Sequence, residues 1–279
     1  MATPSLTEHT LTGVLGDILI SVRAAGRKSP RPAVVLLHGF KGFRSWGFFP
    51  PLADRLAKAG FTVVTYSASG SGVDAAGEFA FPDRFGHNTY SAELTDLRTV
   101  LTALRSGELG TAPPTKLGLM GHSRGGGIAI LQAAKDPRVD ALVTWATIGL
   151  VDRWSAGAKA DWRARGRLDV VNSRTHQVLP LYLDVLEEVE QQKGNRLDLE
   201  MAAREVKAPW LLLHGEEDEN VPSGESERLY AANGLATSDL KIVNGAGHTF
   251  GAKHPMEGIP ETLERTMQAT LTWFGTHLT

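Results

Sequence analysis

The sequence KLGLMGHSRGGGIA at residues 116–129 places a serine between glycines, where a buried strand is followed by a helix. Ser123 lies on the turn, with an apolar run before it and a helical pattern after it. A serine on such a turn has strained backbone geometry, so the residues two before and two after it must be small. Gly121 and Gly125 meet this requirement, and we interpret Ser123 as a nucleophile raised above a sheet. The alternative is a glycine-rich turn in which the serine only caps the helix.

Apolar runs and helical patterns alternate along the chain on both sides of this turn. The runs are nearly continuous, as in strands of a parallel sheet covered on both faces, and lie at 33–37, 61–66, 117–120, 141–148, 210–213 and 240–243. Helical patterns lie at 51–58, 90–104, 223–232 and 259–274. This alternation predicts an α/β fold with a mostly parallel central sheet and helices on both faces. A glycine-interrupted alternation at 10–23 predicts an N-terminal hairpin.

The interval between the runs at 141–148 and 210–213 is too long for an ordinary connection. It contains Trp154, Trp162 and an amphipathic stretch, but no obvious strand. We interpret residues 152–208 as a helical cap inserted within a single domain of residues 1–279. Two crossover helices joined by a long loop are the alternative.

A serine hydroxyl is a weak nucleophile without a base, and His248 is the best candidate among the histidines. The segment VNGAGHTF at 243–250 follows the last predicted strand and precedes the C-terminal helix. His248 should therefore lie at the carboxyl end of the sheet, as Ser123 must. His254 is the second choice, and a solvated loop histidine is the alternative for both. His38 and His214 end strands, where their rings are expected to pack or to bond the backbone.

The carboxylate that orients the base should follow the strand before His248. The segment WLLLHGEEDENVP at 210–222 ends a strand in a cluster of four carboxylates. Asp218 is favoured because it lies far enough beyond the strand to reach back to a histidine. Glu217, Glu219 and Asp152 are alternatives, and most of the cluster is expected to be a solvated turn. The predicted chain order is Ser123, Asp218, His248.

An oxyanion needs two hydrogen-bond donors beside the nucleophile. The backbone N–H of Arg124, which follows Ser123, supplies one of them. The second is expected from the loop at 37–42, where Gly39 and Gly42 let the backbone approach a ligand, and the N–H of Phe40 is the candidate.

Composition and charge exclude several classes of protein. There are 29 lysines and arginines against 31 aspartates and glutamates, so the chain lacks the basic surface of a nucleic-acid-binding protein. The N-terminus has no secretory pattern, and no apolar run approaches the ~20 residues that span a membrane, so a cytoplasmic protein is expected. There is no cysteine, and no spacing typical of a metal site, so we expect neither a metal nor a cofactor. The oligomeric state is not predicted.

A second glycine motif competes with the serine turn. The segment GSGVDA at 70–75 fits a dinucleotide fingerprint, but no helical pattern follows it to receive the phosphates. We interpret it as a loop beside the active site, with Phe79, Phe81 and Phe85 as possible walls of an acyl pocket. Local packing of a long loop is the alternative for these three rings.

The His38–Gly39 loop, the Ser123 turn and the Asp218 and His248 loops, in this order, resemble the motifs of the α/β-hydrolase superfamily. The resemblance covers roughly residues 30 to 279 and implies an α/β-hydrolase fold with serine hydrolase chemistry. It is strongest toward bacterial esterases of the dienelactone-hydrolase-like and acyl-peptidase-like groups. Dienelactone hydrolases use a cysteine nucleophile, so their substrate is not implied here. Dehalogenases of the superfamily use an aspartate at the position of Ser123.

The expected activity is hydrolysis of a small-molecule carboxylic ester through an acyl-enzyme on Ser123, with His248 as base and Asp218 orienting it. A serine aminopeptidase or amidase with the same triad is the first alternative. A hydrolase fold used only for binding is the second. The segment 153–174 is rich in basic residues, which is compatible with solvated surface or with a mildly anionic substrate.

Overall fold

The computed structural model describes residues 4–26 and 28–279 and contains ten strands in that part of the chain. They are β1 (Ser5–Thr12), β2 (Asp17–Ala24), β3 (Ala33–Leu37), β4 (Thr62–Ser67), β5 (Leu117–His122), β6 (Ala141–Trp145), β7 (Arg167–Val171), β8 (Val178–Tyr182), β9 (Trp210–Gly215) and β10 (Asp239–Val243). The α-helices are α1 (Phe49–Lys58), α2 (Pro82–Gly86), α3 (Tyr90–Ser106), α4 (Arg124–Ala133), α5 (Ala156–Arg165), α6 (Leu183–Gln192), α7 (Leu199–Glu205), α8 (Gly224–Asn233) and α9 (Glu261–Leu278).

Eight strands form one sheet in the order β1-β2-β4-β3-β5-β6-β9-β10. The six strands from β4 to β10 in this order are parallel, and β1 and β2 form the predicted antiparallel hairpin at one edge. Alternate residues of β3 face two separate apolar cores. One core packs under α3, α4, α7 and α8, and the other under α1 and α9. The predicted α/β sheet with helices on both faces is confirmed.

The apolar run at 141–148 continues past the strand that it predicts. β6 ends at Trp145 because Ala146 has a positive φ of 46°, which turns the chain out of the sheet. Ala146, Thr147 and Ile148 are nevertheless buried, since Thr147 and Ile148 lie against Gly126 and Gly127 of α4. The residues after β6 are therefore apolar because they are buried against α4, although they are not part of the strand.

The interval predicted to be a helical cap also contains a β-hairpin. The expectation of no strand at 152–208 was wrong, because β7 and β8 pair antiparallel as a two-stranded sheet. β7 alternates between exposed and half-buried residues and β8 contains Pro180, so neither resembles a buried strand in sequence. At the far end of the interval, α7 packs against α4 and α8. The boundaries of the cap remain a prediction.

The aromatic residues expected to wall an acyl pocket have other positions. Phe79 and Phe85 are buried in a third apolar cluster, together with Trp162, Leu179 and Leu181 of the inserted segment. Phe81 is exposed, and the Arg84 guanidinium lies over its ring. Phe79 and Phe85 therefore pack against the inserted segment, and none of the three rings lines a cavity beside Ser123.

The glycine segment at 70–75 forms part of a short 3₁₀ helix, Ser69–Ser71, followed by a loop that reaches Pro82. Ser69 is held by Asp96 of α3, which accepts hydrogen bonds from the backbone N–H and the hydroxyl of Ser69. Within the described ranges 4–26 and 28–279, no helix has the length and apolar character needed to cross a membrane.

Candidate active site

Ser123 lies on a sharp turn between β5 and α4, with φ of 55° and ψ of −121°. This conformation is unfavourable for a residue with a side chain, by about 1–3 kcal/mol. A Cβ atom on Gly121 would lie 2.2 Å from the Gly125 carbonyl oxygen, and one on Gly125 would lie 2.3 Å from the His38 oxygen. Any side chain at either position would collide with backbone. The two glycines are therefore required by the close approach of the chain at this turn.

The hydroxyl of Ser123 contacts His248 and does not cap α4. Ser123 Oγ lies 3.0 Å from His248 Nε2, and the side chain makes no capping hydrogen bond to the helix. The interpretation of Ser123 as a helix cap is therefore not supported. The nucleophile candidate and the base candidate are within hydrogen-bond distance, as general-base activation requires.

His248 bridges Ser123 and Asp218. Its Nδ1 lies 2.8 Å from Asp218 Oδ2. A carboxylate oxygen can only accept, so Nδ1 carries the proton and Nε2 is free to accept the Ser123 proton. The three residues predicted from the sequence are brought together as a hydrogen-bonded chain at the carboxyl end of the parallel strands. Their catalytic roles remain a prediction.

Asp218 is fixed by donors on both of its oxygens. Its Oδ1 accepts from the backbone N–H groups of Asn220 and Val221, both at 2.9 Å. Burial alone would raise the pKa of Asp218, but hydrogen bonds from His214, His248 and Val221 hold it well below its usual range. The carboxylate is thus ionised whenever the protein is folded near neutral pH.

The alternative acids and the alternative base lie elsewhere. Asp152 pairs with Lys159 and Lys193, at 2.5 and 2.7 Å. Glu217 and Glu219 are exposed on the turn. His254 accepts a hydrogen bond from the backbone N–H of Gly47 through Nδ1, at 3.0 Å. None of these side chains takes part in the chain formed by Ser123, His248 and Asp218.

A second histidine lies beneath the carboxylate, and the sequence did not reveal this contact. His214 is fully buried, and its Nε2 lies 2.8 Å from the Val221 carbonyl oxygen and 3.2 Å from Asp218 Oδ2. Since both oxygens only accept, Nε2 carries a proton, and Nδ1 accepts from the Ser226 hydroxyl at 2.6 Å. The expectation that this ring bonds the backbone is met, but His214 also donates toward the carboxylate. The only feature of the sequence that pointed to this contact was the position of His214 at the end of the strand that precedes Asp218.

His122 supports the loop that carries the base. Its Nε2 donates to the His248 carbonyl oxygen at 3.0 Å. Burial, assisted by the nearby His248, lowers the pKa of His122 to about 3. The ring is therefore neutral over the working pH range and acts as a fixed donor.

His122 should make the protein less stable as the pH falls from 6.5 toward 3. In this window the unfolded chain, with a usual pKa of 6.5, binds a proton that the folded protein excludes. The free energy of unfolding should then fall by up to about 1.4 kcal/mol per pH unit for this group. Burial also lowers the pKa of His38, which adds to the slope in the same direction.

Urea unfolding at several pH values between 5 and 7 measures this slope. His122→Gln should reduce the slope of the free energy of unfolding against pH by the contribution of about one bound proton, whatever the effect of the substitution on stability at pH 7. His176→Asn, a substitution at an exposed position, is the matched control and should keep the wild-type slope. An unchanged slope in His122→Gln would contradict the prediction.

Phe40 and Arg124, whose backbone N–H groups are the predicted oxyanion donors, both line the apolar cavity with Ser123. Arg124 is the first residue of α4, a position whose N–H has no partner inside the helix. The loop that carries Phe40 lies against the serine turn, since a Cβ on Gly39 would be 2.9 Å from Ser123 Cβ. His38 holds this loop, because its Nδ1 contacts the Gly39 oxygen at 2.9 Å and its Nε2 accepts from the Ala68 N–H. The oxyanion roles of Phe40 and Arg124 remain a prediction.

The Arg124 side chain is buried under the site and paired with Glu93. Arg124 Nε lies 2.8 Å from Glu93 Oε1, its Nη2 donates to the Asn88 carbonyl oxygen, and its guanidinium lies over the Tyr90 ring. Asn88 Nδ2 also donates to Glu93, at 2.7 Å. A buried charge pair of this kind is strongly destabilised when one partner is removed.

Glu93→Ala should lower the free energy of unfolding by about 3–5 kcal/mol, since it leaves the Arg124 guanidinium buried without a counter-charge. For a domain of this size the melting temperature should fall by about 6–15 °C. Glu261→Ala is the control, because Glu261 is 86% exposed and its Arg265 contact is 3.9 Å long. A melting temperature of Glu93→Ala within about 2 °C of that of Glu261→Ala would contradict the prediction.

Two cavities meet at Ser123 and His248. The cationic cavity, of about 470 Å³, is lined by Lys41, Trp46, Phe49, Arg174, Lys253 and His254. The apolar cavity, of about 320 Å³, is lined mainly by Ile148, Val151, Trp154, Val170, Leu181 and Val221, and its lining also includes Lys41, Arg124 and Arg153. The hairpin β7–β8 covers both of them, and Lys41 Nζ donates to the Val171 carbonyl oxygen of this hairpin.

Two further features of the described chain do not touch this site. A groove of about 500 Å³ lies among α3, α4 and α7 and contains none of the three candidate catalytic residues. In residues 4–26 and 28–279, no group of three or more His, Asp or Glu side chains is arranged to hold a metal ion.

Comparison with known proteins gives the family of this chain. The sequence profile of the alpha/beta hydrolase family matches residues 34–260. The 2,6-dihydropseudooxynicotine hydrolase of Paenarthrobacter nicotinovorans is 24% identical over 223 residues, which are 78% of this chain and 53% of that protein. An uncharacterized 31.7 kDa protein of Escherichia coli is 28% identical over 139 residues, half of this chain and 44% of that protein. This chain thus spans about half the length of the curated relatives that it matches.

Solved structures share the fold at low sequence identity. Est1E of Butyrivibrio proteoclasticus is 15% identical with a TM-score of 0.68, over 97% of this chain and 98% of that one. A dienelactone hydrolase of Anabaena variabilis is 18% identical with a TM-score of 0.63, over 99% of this chain and all of that one. The chain belongs to the alpha/beta hydrolase family.

Proposed function

We propose that this protein is a serine hydrolase that cleaves a carboxylic ester through an acyl-enzyme intermediate. The observation that carries the proposal is the continuous hydrogen-bonded chain from Ser123 Oγ through His248 to Asp218, at 3.0 and 2.8 Å. It lies where two cavities meet, so both substituents of an ester carbonyl have space beside the hydroxyl. This arrangement matches the requirements for nucleophilic acyl transfer.

In the first half of the reaction, Ser123 Oγ attacks the carbonyl carbon while His248 Nε2 takes the hydroxyl proton. The backbone N–H groups of Phe40 and Arg124 donate to the carbonyl oxygen as it becomes negative. The carbon–oxygen bond to the alcohol then breaks, and the proton on His248 Nε2 passes to the leaving oxygen. The product of this half is an ester of Ser123 with the acyl group.

In the second half, a water molecule replaces the alcohol. His248 Nε2 takes a proton from the water as its oxygen attacks the acyl carbon. The bond between Ser123 Oγ and the acyl carbon then breaks, His248 returns the proton to Ser123 Oγ, and the carboxylic acid leaves. Asp218 keeps the imidazole in the Nδ1–H tautomer throughout and stabilises its charged form. His214, Asn220 and Val221 hold the carboxylate in place for this role.

An aminopeptidase is less well supported than an esterase. An enzyme that binds a free amine needs an acidic anchor near the scissile bond. The described residues that line the two cavities include no aspartate or glutamate. An amidase acting on a substrate without a free amine stays an alternative.

Turnover of matched substrates tests the proposed reaction. Initial rates on p-nitrophenyl esters from acetate to palmitate, and on the anilide of the best acyl group, separate esterase from amidase. We expect ester turnover with labelling of Ser123 by a fluorophosphonate, located by peptide mass spectrometry. Labelling with faster anilide turnover would favour the amidase, and failure of Ser123 to react would support a binding protein.

A further inference from the structure

The cationic cavity owes its polar character mainly to three basic side chains that come from separate parts of the chain. Lys41 follows β3, Arg174 lies in the loop between β7 and β8, and Lys253 follows the His248 loop. His254 also lines the cavity, and its Nδ1 accepts from the Gly47 N–H, so its Nε2 carries the proton of the neutral ring. The described lining residues contribute donors and positive charge, but no carboxylate.

Lys41 and Lys253 form no ion pair with the described part of the chain. The Lys41 ammonium donates to the Val171 carbonyl oxygen at 3.2 Å, and burial lowers the pKa of Lys41. Its other contact is the Phe40 ring, 5.8 Å away, and a partly desolvated ammonium without a carboxylate partner is stabilised by an anion placed beside it. Lys253 is exposed and lines the cavity, so it adds positive potential there.

Arg174 has only weak partners, in contrast to the arginine of the other cavity. Its Nη1 lies 3.8 Å from Glu78, whose side chain is 64% exposed, and its Nη2 lies 3.5 Å from the Gly77 carbonyl oxygen. Arg153, which lines the apolar cavity, donates to both Glu225 oxygens at 2.9 Å and to the Asn220 carbonyl oxygen. Arg153 is neutralised within the protein, whereas the Arg174 guanidinium, whose other contact is the Phe43 ring at 5.8 Å, can donate to a further anion.

Of the other basic residues at 153–174, Lys159, Arg163 and Arg167 are paired as well. Lys159 and Arg163 pair with Asp152 and Glu190, and Arg167 lies 3.1 Å from Asp169. The basic character of residues 153–174 is therefore largely neutralised on the surface. The positive potential that remains beside Ser123 comes from Arg174, Lys41 and Lys253.

We propose that the cationic cavity is a carboxylate subsite, so that the ester cleaved by this protein carries a carboxylate on one substituent of its carbonyl. The other substituent is apolar and occupies the apolar cavity. Arg174 is the principal ligand of the carboxylate through its planar fork, and Lys41 and Lys253 supply the surrounding charge. The inference rests on the proposed esterase function, which it makes specific for half-esters and related anionic esters.

Two pairs of substrates test the preference, one for each substituent. p-Nitrophenyl hemiglutarate carries the anion on the acyl side, and p-nitrophenyl 5-methylhexanoate replaces its two carboxylate oxygens with methyl groups. 4-Acetoxybenzoate carries the anion on the alcohol side, and 4-isopropylphenyl acetate is its neutral match. We expect kcat/KM to favour the anionic member of one pair by about tenfold or more, and salt to reduce this preference.

Variants connect the preference to the named residues. Arg174→Gln should reduce the ratio of anionic to neutral kcat/KM by about tenfold, and Arg174→Gln with Lys253→Gln should bring it close to unity. Lys41 is left unchanged because it follows Phe40, a candidate oxyanion donor. Arg167→Gln, on the same hairpin but outside both cavities, should keep the wild-type ratio. Wild-type ratios near unity for both pairs, or a ratio unaffected by the double substitution, would overturn the subsite.

A binding measurement separates failure of the subsite from failure of the proposed reaction. In Ser123→Ala, calorimetry with monomethyl glutarate and methyl 5-methylhexanoate, and with 4-acetoxybenzoate and 4-isopropylphenyl acetate, reads the subsite without turnover. Tighter binding of an anionic member, lost with Arg174→Gln, supports the subsite even if no ester is cleaved. Equal binding within both pairs overturns it even if neutral esters are hydrolysed through Ser123.

Discussion

Replacing Ser123 with alanine should lower kcat for ester hydrolysis by at least about 10⁴-fold, and by about 10⁶-fold if the triad acts as a unit. The substitution removes the hydroxyl 3.0 Å from His248 Nε2 and leaves no nucleophile on the turn. Alanine can adopt the same strained backbone as serine, so the turn and α4 should keep their positions. Initial rates with the best p-nitrophenyl ester, at equal concentrations of folded protein, measure the loss.

Ser173→Ala is the matched control for this substitution. Ser173 lines the same cavity from the exposed loop of the β7–β8 hairpin, but it has no histidine partner. Its removal should change kcat by less than about threefold. A Ser123→Ala protein with wild-type melting temperature and more than a tenth of the wild-type kcat would refute the acyl-enzyme mechanism.

Replacing Asp218 with asparagine should lower kcat by about 10⁴-fold. The backbone N–H groups of Asn220 and Val221 would keep the amide oxygen at the position of Oδ1. The amide nitrogen would then face the Nδ1–H of His248 and the Nε2–H of His214, which are also donors. His248 is expected to move its proton to Nε2, and in that tautomer Nε2 cannot accept the Ser123 proton.

The same substitution at Asp152 distinguishes the two candidate acids. Asp152→Asn removes a charge that pairs with Lys159 and Lys193, and kcat should change by less than about threefold. Kinetics of the two variants from pH 6 to 9 provide the comparison. A larger loss of kcat in Asp152→Asn than in Asp218→Asn would show that Asp152, and not Asp218, orients the base.

The positions of the candidate catalytic residues could be predicted because they depend on local requirements. A side chain at Gly121 would collide with Gly125 of the same turn, a requirement that this short segment shows in its sequence, whereas a side chain at Gly125 would collide with His38 at the end of β3. The carboxyl ends of parallel strands share one edge of a sheet. Since Ser123, Asp218 and His248 each follow a predicted strand, this was enough to predict that they lie close together.

The inserted segment shows where such reasoning fails. β7 and β8 are short and form a separate two-stranded sheet, and their burial comes from packing on Phe79 and on Phe85 of α2. Asp169 interrupts the apolar residues of β7 and Pro180 interrupts those of β8, so neither strand resembles the strands of the main sheet in sequence. The same packing places Phe79 and Phe85 against the inserted segment instead of at the expected pocket wall, whereas Phe81 is exposed.

The sequence by itself determined the α/β sheet, the strained serine turn and the three residues expected to act there, since each depends on neighbours along the chain or on strand order. Only the tertiary structure shows that His214, four residues before Asp218, contacts its carboxylate. Only the tertiary structure brings Arg174 to the cavity of Lys41, whose ammonium donates to the Val171 carbonyl oxygen of the hairpin, 130 residues away in sequence. Lys41 and the hairpin belong to segments that have no local requirement for one another. The position of the hairpin is set by its packing on Phe79 and Phe85, and no pattern of spacing encodes it.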